Sequence, residues 1–115
     1  MRKLEGEQLR IRVFIGESDL HHGRPLYQAL VELLRKEHMA GATVLRGILG
    51  FGAKSHMHAA HLLALSQDMP LVIEVVDTQE HIDNVLPKVE AMMEDGLITF
   101  EQVHVMRYGR NGDTE

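Results

Sequence analysis

The sequence predicts an α+β domain with the element order β-α-β-β-α-β. Three observations carry that expectation. Residues 7–15 alternate polar and apolar side chains, two segments repeat apolar residues at helical spacing, and PLVIEVVD (70–77) is apolar on both faces. A period of two marks a half-buried strand, and a period of 3.6 marks an amphipathic helix.

In the first strand Leu9, Ile11, Val13 and Ile15 share one face, and Gln8, Arg10, Arg12 and Phe14 share the other. GESDLHHGR (16–24) follows as a polar turn, and Pro25 suits the first turn of a helix, where its missing N–H is no loss. Leu26, Leu30, Leu33 and Leu34 line one face of that helix, which is expected to end near Met39 with Gly41 as its stop. ATVLRGIL (42–49), β-branched and aliphatic, is the second strand and runs into Gly50, Phe51 and Gly52. The stretch 53–69 has no strong period, although 59–65 suits a turn or two of helix. Pro70 opens the third strand, whose two apolar faces place it inside the sheet.

Thr78 is a good cap for the second helix, built on Ile82, Val85, Leu86, Val89 and Met93. Pro87 falls inside it, and a mid-helix proline costs ~3 kcal/mol, so a kink or break is expected near Asn84. EDG (94–96) ends the helix, and 97–108 forms the last strand, with a bulge expected around Glu101 and Gln102. The chain reads as a single domain over 1–115, with flexible ends at 1–6 and 109–115.

Right-handed crossovers on this order place both helices on one face of a four-stranded antiparallel sheet, the ferredoxin-like arrangement. The other face stays uncovered and carries Phe14 beside Arg10 and Arg12. Arg46 is expected there too, with Glu74 and Glu101 as ion-pair partners. A broad apolar face marks an interface, so self-association is expected.

Composition narrows the function classes. With 44% hydrophobic and 25% charged residues, the chain can bury one core without a metal or disulfide. The absence of cysteine removes thiolate ligands and cysteine nucleophiles. A net charge of −5 and a pI near 5.9 argue against nucleic acid as a partner. MRKLEGEQLR lacks the apolar stretch of a signal peptide, and no apolar run approaches the ~20 residues of a spanning helix. A cytoplasmic location is expected.

The segments RVFIGESDLHHGRPLYQAL, RGILGFGAKSHMHAAHLLALSQDMPLVIEVVD and GLITFEQVHVMRYG cover most of the chain in this order. Together they resemble the PII-like family known as domain of unknown function number one hundred and ninety. That family is similar in fold to the nitrogen-regulatory PII proteins and, more distantly, to the CutA copper-tolerance proteins. The resemblance implies a homotrimer whose sheets face inward and a regulatory, not catalytic, role.

In PII proteins an adenine nucleotide lies in the cleft between subunits, beside the loop after the second strand. Gly50, Phe51 and Gly52 match the glycine-aromatic-glycine start of that loop. Lys54 stands where PII has a glutamine, and the short EDG replaces PII's glycine-rich phosphate loop. Arg107 and Arg110 resemble the arginines that follow PII's last strand. The implied ligand set is therefore Gly50, Phe51, Gly52, Lys54, His58, Arg107 and Arg110, holding a small anion such as an adenine nucleotide. The 51–69 loop would act as a switch on a partner protein. Because PII relatives act on transporters and channels, the resemblance implies a membrane transport protein as that partner.

The side chains also have readings of their own. Glycines 50 and 52 let backbone N–H groups approach an anion and Lys54 adds charge, while a strand-ending turn is the plainer explanation. His56, His58 and His61 can supply a facial imidazole set to zinc, copper or nickel, which makes a CutA-like metal-binding protein the alternative function. Asp19, His21, His22 and Arg24 form a polar group before the first helix, read as an ordinary cap and turn in preference to an acid–base pair, and no catalytic residue is assigned. Met92, Met93 and Met106 are read as core filler, and His38, His81 and His104 as surface residues.

Overall fold

A computed structural model of the protein describes residues 3–51 and 68–109. The elements are β1 (Leu4–Gly16), β2 (Leu20–His21), β3 (Arg24–Pro25), α1 (Leu26–Lys36), β4 (Thr43–Arg46), β5 (Pro70–Asp77), α2 (Gln79–Met92) and β6 (Leu97–Tyr108). The long strands form one antiparallel sheet in the order β4-β5-β1-β6, the ferredoxin-like topology, while β2 and β3 make a small hairpin.

The alternation in β1 and β5 decides which face is covered. Ile11, Val13, Ile73 and Val75 are buried against Leu30 and Leu34 of α1 and Ile82, Val85 and Val89 of α2. Both helices therefore pack on one side of the sheet. Asp77, fully buried, closes this core at one end: its carboxylate accepts the N–H groups of Ala40 and Thr78, each at 2.8 Å. The Tyr108 hydroxyl donates to the Ala40 carbonyl, so the segment after α1 is tied to both β5 and β6. Thr78 caps α2 as expected, its hydroxyl accepting from the His81 N–H at 3.1 Å.

Several boundaries differ from expectation. β1 begins at Leu4, which is buried, so residues 4–6 belong to the sheet and not to a flexible end. The bulge lies in β6 as expected but further along, where Met106 and Arg107 stand against Glu5 alone, and Gly6 beside it adopts φ +80°, a conformation glycine takes without strain. Past Glu101 and Gln102 the register runs unbroken. Helix α1 stops at Lys36, because His38 takes the left-handed turn (φ +62°) that Gly41 was expected to supply. Helix α2 is continuous through Pro87, which is exposed, as is Asp83, whose carbonyl loses its partner to the proline. Both residues lie on the exposed side of the helix, and burial of Ile82, Val85 and Val89 on the opposite face outweighs the loss.

The uncovered face is ordered in rows across the strands. Leu45, Val72, Phe14 and Leu97 form an apolar row, and the next row is Thr43, Glu74, Arg12 and Thr99. Arg12 Nε donates to Glu74 at 2.8 Å, and Arg10 Nε donates to Glu101 at 2.9 Å. The hydrogen bond from Arg10 holds the Glu101 carboxyl below its ordinary value, and the bond to Glu74 holds the Arg12 guanidinium more firmly charged. Arg46 does not join them. It lies opposite Leu71, on the helix side of the sheet, and pairs with Glu17 at 3.0 Å.

Candidate functional site

Antiparallel pairing brings the C-terminal end of β1 beside the starts of β5 and β6 and the end of β4. These ends enclose a cleft of about 550 Å³. Phe14, Phe51, Met69, Pro70 and Leu97 supply its apolar wall, and Ser18, Asp19, Asp68 and Asp95 its polar edge. Phe51 is 76% exposed, an aromatic ring presented to solvent at the rim.

Close backbone approach explains the glycines here. The chain leaving β4 crosses Pro70, with Gly47 N–H donating to the Pro70 carbonyl at 2.7 Å. A Cβ on Gly47 would lie 2.8 Å from Pro70 Cγ, and one on Gly50 would lie 3.2 Å from the same atom. Gly96 holds the turn into β6 at φ +126°, where a Cβ would stand 2.7 Å from the Phe14 carbonyl oxygen.

Glu17 ties the base of the site together. Its carboxylate accepts from Arg46 Nε at 3.0 Å and from the Met69 N–H at 3.3 Å, while its own N–H donates to the Met69 carbonyl at 2.8 Å. One side chain thus joins the end of β4 to the residue before β5. The Asp68 carboxylate accepts from Ser18 N–H at 3.2 Å, and that of Asp19 accepts from Gly16 N–H at 3.0 Å. A Cβ on Gly16 would lie 3.1 Å from Asp19 Oδ1 and 3.4 Å from Asp68 Oδ1, so the two carboxylates flank this glycine.

Of the expected ligand set, Phe51 lines this cleft and Gly50 lies beside Pro70 of its wall. Gly52, Lys54, His56, His58, His61 and Arg110 lie outside the described residues. Arg107 is exposed near the far end of β6, ten residues of strand beyond Leu97, or about 33 Å at ~3.3 Å per residue. Within one chain Arg107 and Phe51 therefore do not share a site. Among the described residues no group of three or more His, Cys, Asp or Glu is arranged to hold a metal ion. The second polar group is dispersed: the rings of His21 and His22 stack on each other at 4.1 Å, Arg24 pairs with Glu32 at 2.7 Å, and Asp19 turns to Gly16. His104 pairs with Glu7 at 2.9 Å.

Asp68, Asp95 and Leu97 were not singled out in the sequence, and Phe14 was named only for the uncovered sheet face. They lie in separate segments and meet only through strand register. The signal was available in the element order, since a strand that pairs antiparallel with two later ones must end beside both of their beginnings.

A profile of the DUF190 family, described as an uncharacterised ACR, matches residues 8–105. A UPF0166 protein of Methanocaldococcus jannaschii is 34% identical over 98 residues, covering 84% of this chain and 90% of that protein. A UPF0166 protein of Aquifex aeolicus is 33% identical over 96 residues, with the same coverage. The fold is similar to that of CPII, a nitrogen regulatory PII-like protein from Thiomonas intermedia K12, solved bound to ADP, AMP and bicarbonate. That superposition has a TM-score of 0.57 at 16% identity and covers 96% of this chain and 93% of that one. A structure of CPII bound to ADP and bicarbonate gives a TM-score of 0.53 at 16% identity, covering 96% and 94%. Among the described residues no helix is long and apolar enough to cross a membrane.

Proposed function

The chain belongs to the DUF190 family and has a PII-like fold, and from that premise we propose that it is a regulatory protein, not an enzyme, which binds an adenine nucleotide at the described cleft. The observation that carries this reading is the position of the cleft where the chain enters and leaves the segment 52–67. Phe51 and Asp68, the residues on either side of 52–67, both lie on its wall. A ligand seated there touches both ends of that segment, so binding energy is available to bias its arrangement and thereby its engagement of a partner protein. CPII, which shares the fold, has been solved with ADP and AMP bound.

The protein works as a homotrimer in this reading, with the uncovered sheet faces turned inward. The row Leu45, Val72, Phe14 and Leu97 supplies the apolar contact, and the pairing of Arg10 and Arg12 with Glu74 and Glu101 leaves few unmatched charges to bury. A three-fold ring joins one patch of each chain to a different patch of the next. Such a ring lets Phe51 of one protomer and Arg107 of its neighbour address the same nucleotide, which a single chain does not. The regulated partner is a membrane transport protein, and the site of action is the cytoplasm.

Calorimetry with AMP, ADP, ATP and cyclic nucleotides tests the ligand, and light scattering tests the trimer. Binding by at least one nucleotide, weakened by Phe51→Ala, is the expected result. No heat with any of them refutes the nucleotide reading.

A further inference from the structure

The last strand ends in an arginine on a braced backbone. We infer that Tyr108, together with the bulge before it, is a positioning residue that holds Arg107 ready for a nucleotide bound by the neighbouring protomer. The inference rests on the reading that an adenine nucleotide binds between subunits and meets Arg107 there.

Arg107 stands apart from the other arginines of the strands. Arg10 pairs with Glu101, Arg12 with Glu74, Arg24 with Glu32 and Arg46 with Glu17. Arg107 is exposed and makes no ion pair with another described residue. The carboxylate across the bulge from it, Glu5, is taken by Lys3 at 3.0 Å. A guanidinium stays charged at every accessible pH and carries five N–H donors, so this one is available to an anion from outside the chain.

The backbone under Arg107 is fixed on both sides. Val105 pairs with Gly6 and Tyr108 with Leu4, and Met106 and Arg107 oppose Glu5 alone. A bulge of this kind breaks the strict alternation of a strand and re-aims its side chains. Among the described residues, the stretch of β1 before Leu9 pairs only with β6, because β5 meets β1 from Leu9 onward. A two-stranded ribbon on its own is marginal in water. Burial of Leu4 and the hydrogen bond from the Tyr108 hydroxyl to the Ala40 carbonyl supply what this ribbon lacks. The Ala40 N–H in turn donates at 2.8 Å to the fully buried Asp77 carboxylate. A line of hydrogen bonds thus runs from the core to the residue beside Arg107. Ordering a segment at the moment of binding costs affinity, and a segment already ordered avoids that cost. Tyr108 therefore acts through Arg107 and not through a contact of its own with the ligand.

The test is a double-mutant cycle on the full chain, titrated calorimetrically with AMP, ADP and ATP. Tyr108→Phe keeps the ring and removes only the hydroxyl, so it should fold and lose less than about 8 °C in Tm. It should weaken the tightest-binding of the three nucleotides by roughly two- to ten-fold, the effect of ordering one more segment on binding. Arg107→Ala should weaken that nucleotide by about ten-fold or more, as loss of a charge-assisted contact does. The double variant should bind within about two-fold of Arg107→Ala, since the brace has nothing left to position. Tyr108→Phe binding as tightly as the native protein overturns the inference. So does a Tyr108→Phe effect of the same size with and without Arg107, which marks a general role in the fold. Native-like binding by Arg107→Ala overturns it while leaving the nucleotide reading intact, and silence of the native protein with all three nucleotides refutes that reading itself.

Discussion

Replacing Glu17 by alanine should loosen the junction between the end of β4 and the start of β5 more than a half-exposed position suggests. Two interactions are removed. The pair with Arg46 is about half exposed on the arginine side (49% and 28% for the two side chains), and pairs of that kind contribute ~0.2–1 kcal/mol. The Met69 N–H loses a charged acceptor in a residue that is only 4% exposed, and an unsatisfied buried donor costs ~1–3 kcal/mol. The sum is roughly 1.2–4 kcal/mol, or a fall in Tm of about 5–25 °C for a domain of this size. Glu17→Gln keeps an acceptor for both groups and should cost under about 1 kcal/mol. Circular dichroism melts measure both effects. Trypsin cleavage after Lys54 provides a local readout, and Glu17→Ala should accelerate it more than the loss of global stability alone accounts for. An alanine variant that melts within ~0.5 kcal/mol of the native protein, as an ordinary surface change does, with unchanged cleavage, would refute the role assigned to Glu17.

Further predictions concern the frame around the site. Asp77→Ala removes the acceptor of the partly buried N–H groups of Ala40 and Thr78 and should cost roughly 1–3 kcal/mol in urea unfolding, whereas Asp77→Asn, which keeps one acceptor, should cost less. Gly96→Ala puts a Cβ against the Phe14 carbonyl at a positive φ and should cost about 1–3 kcal/mol from backbone strain, with nucleotide affinity reduced because the turn at Asp95 shifts. The Glu101 carboxyl is held below its ordinary value by Arg10, and that of Glu37 by Lys88, so in acid the unfolded chain binds more protons than the folded one. Their stabilising contribution is complete above the unfolded value of ~4.3 and is lost as pH falls through the lower folded values. Stability measured from pH 6 to 3 should therefore decline, and Glu101→Gln should flatten that decline; an unchanged slope would count against the pairing.

What was legible in the chain followed the strength of its periodicity. The inward faces of β1 and β5 could be read residue by residue from Leu9, Ile11, Val13 and Ile15 and from the apolar run 70–77, and the helix faces from their leucines and valines. The resemblance carried by 46–77 was confirmed by the family match. Ends of elements were read less well, because they depend on single conformers and close contacts. β4 ends at Arg46, not at Leu49, since Gly47 already turns over Pro70, and α1 ends where His38 adopts a conformation more usual for glycine. Arg46 was assigned to the wrong face because one residue of register in β4 exchanges the two sides of the sheet. The cleft was only partly legible: Gly50 and Phe51 announced themselves as a motif, but Asp19, Asp68 and Asp95 are ordinary turn residues until strand pairing sets them around one cavity.

A site shared between protomers can be tested by subunit complementation. Phe51→Ala and Arg107→Ala proteins, each impaired in nucleotide binding, are unfolded together, refolded as mixed oligomers and titrated calorimetrically with the tightest-binding nucleotide. If one chain supplies Phe51 and the next supplies Arg107, random mixing restores native-like binding at about a quarter of the sites. Mixed oligomers that bind no better than their parents would contradict a nucleotide site built across the subunit boundary.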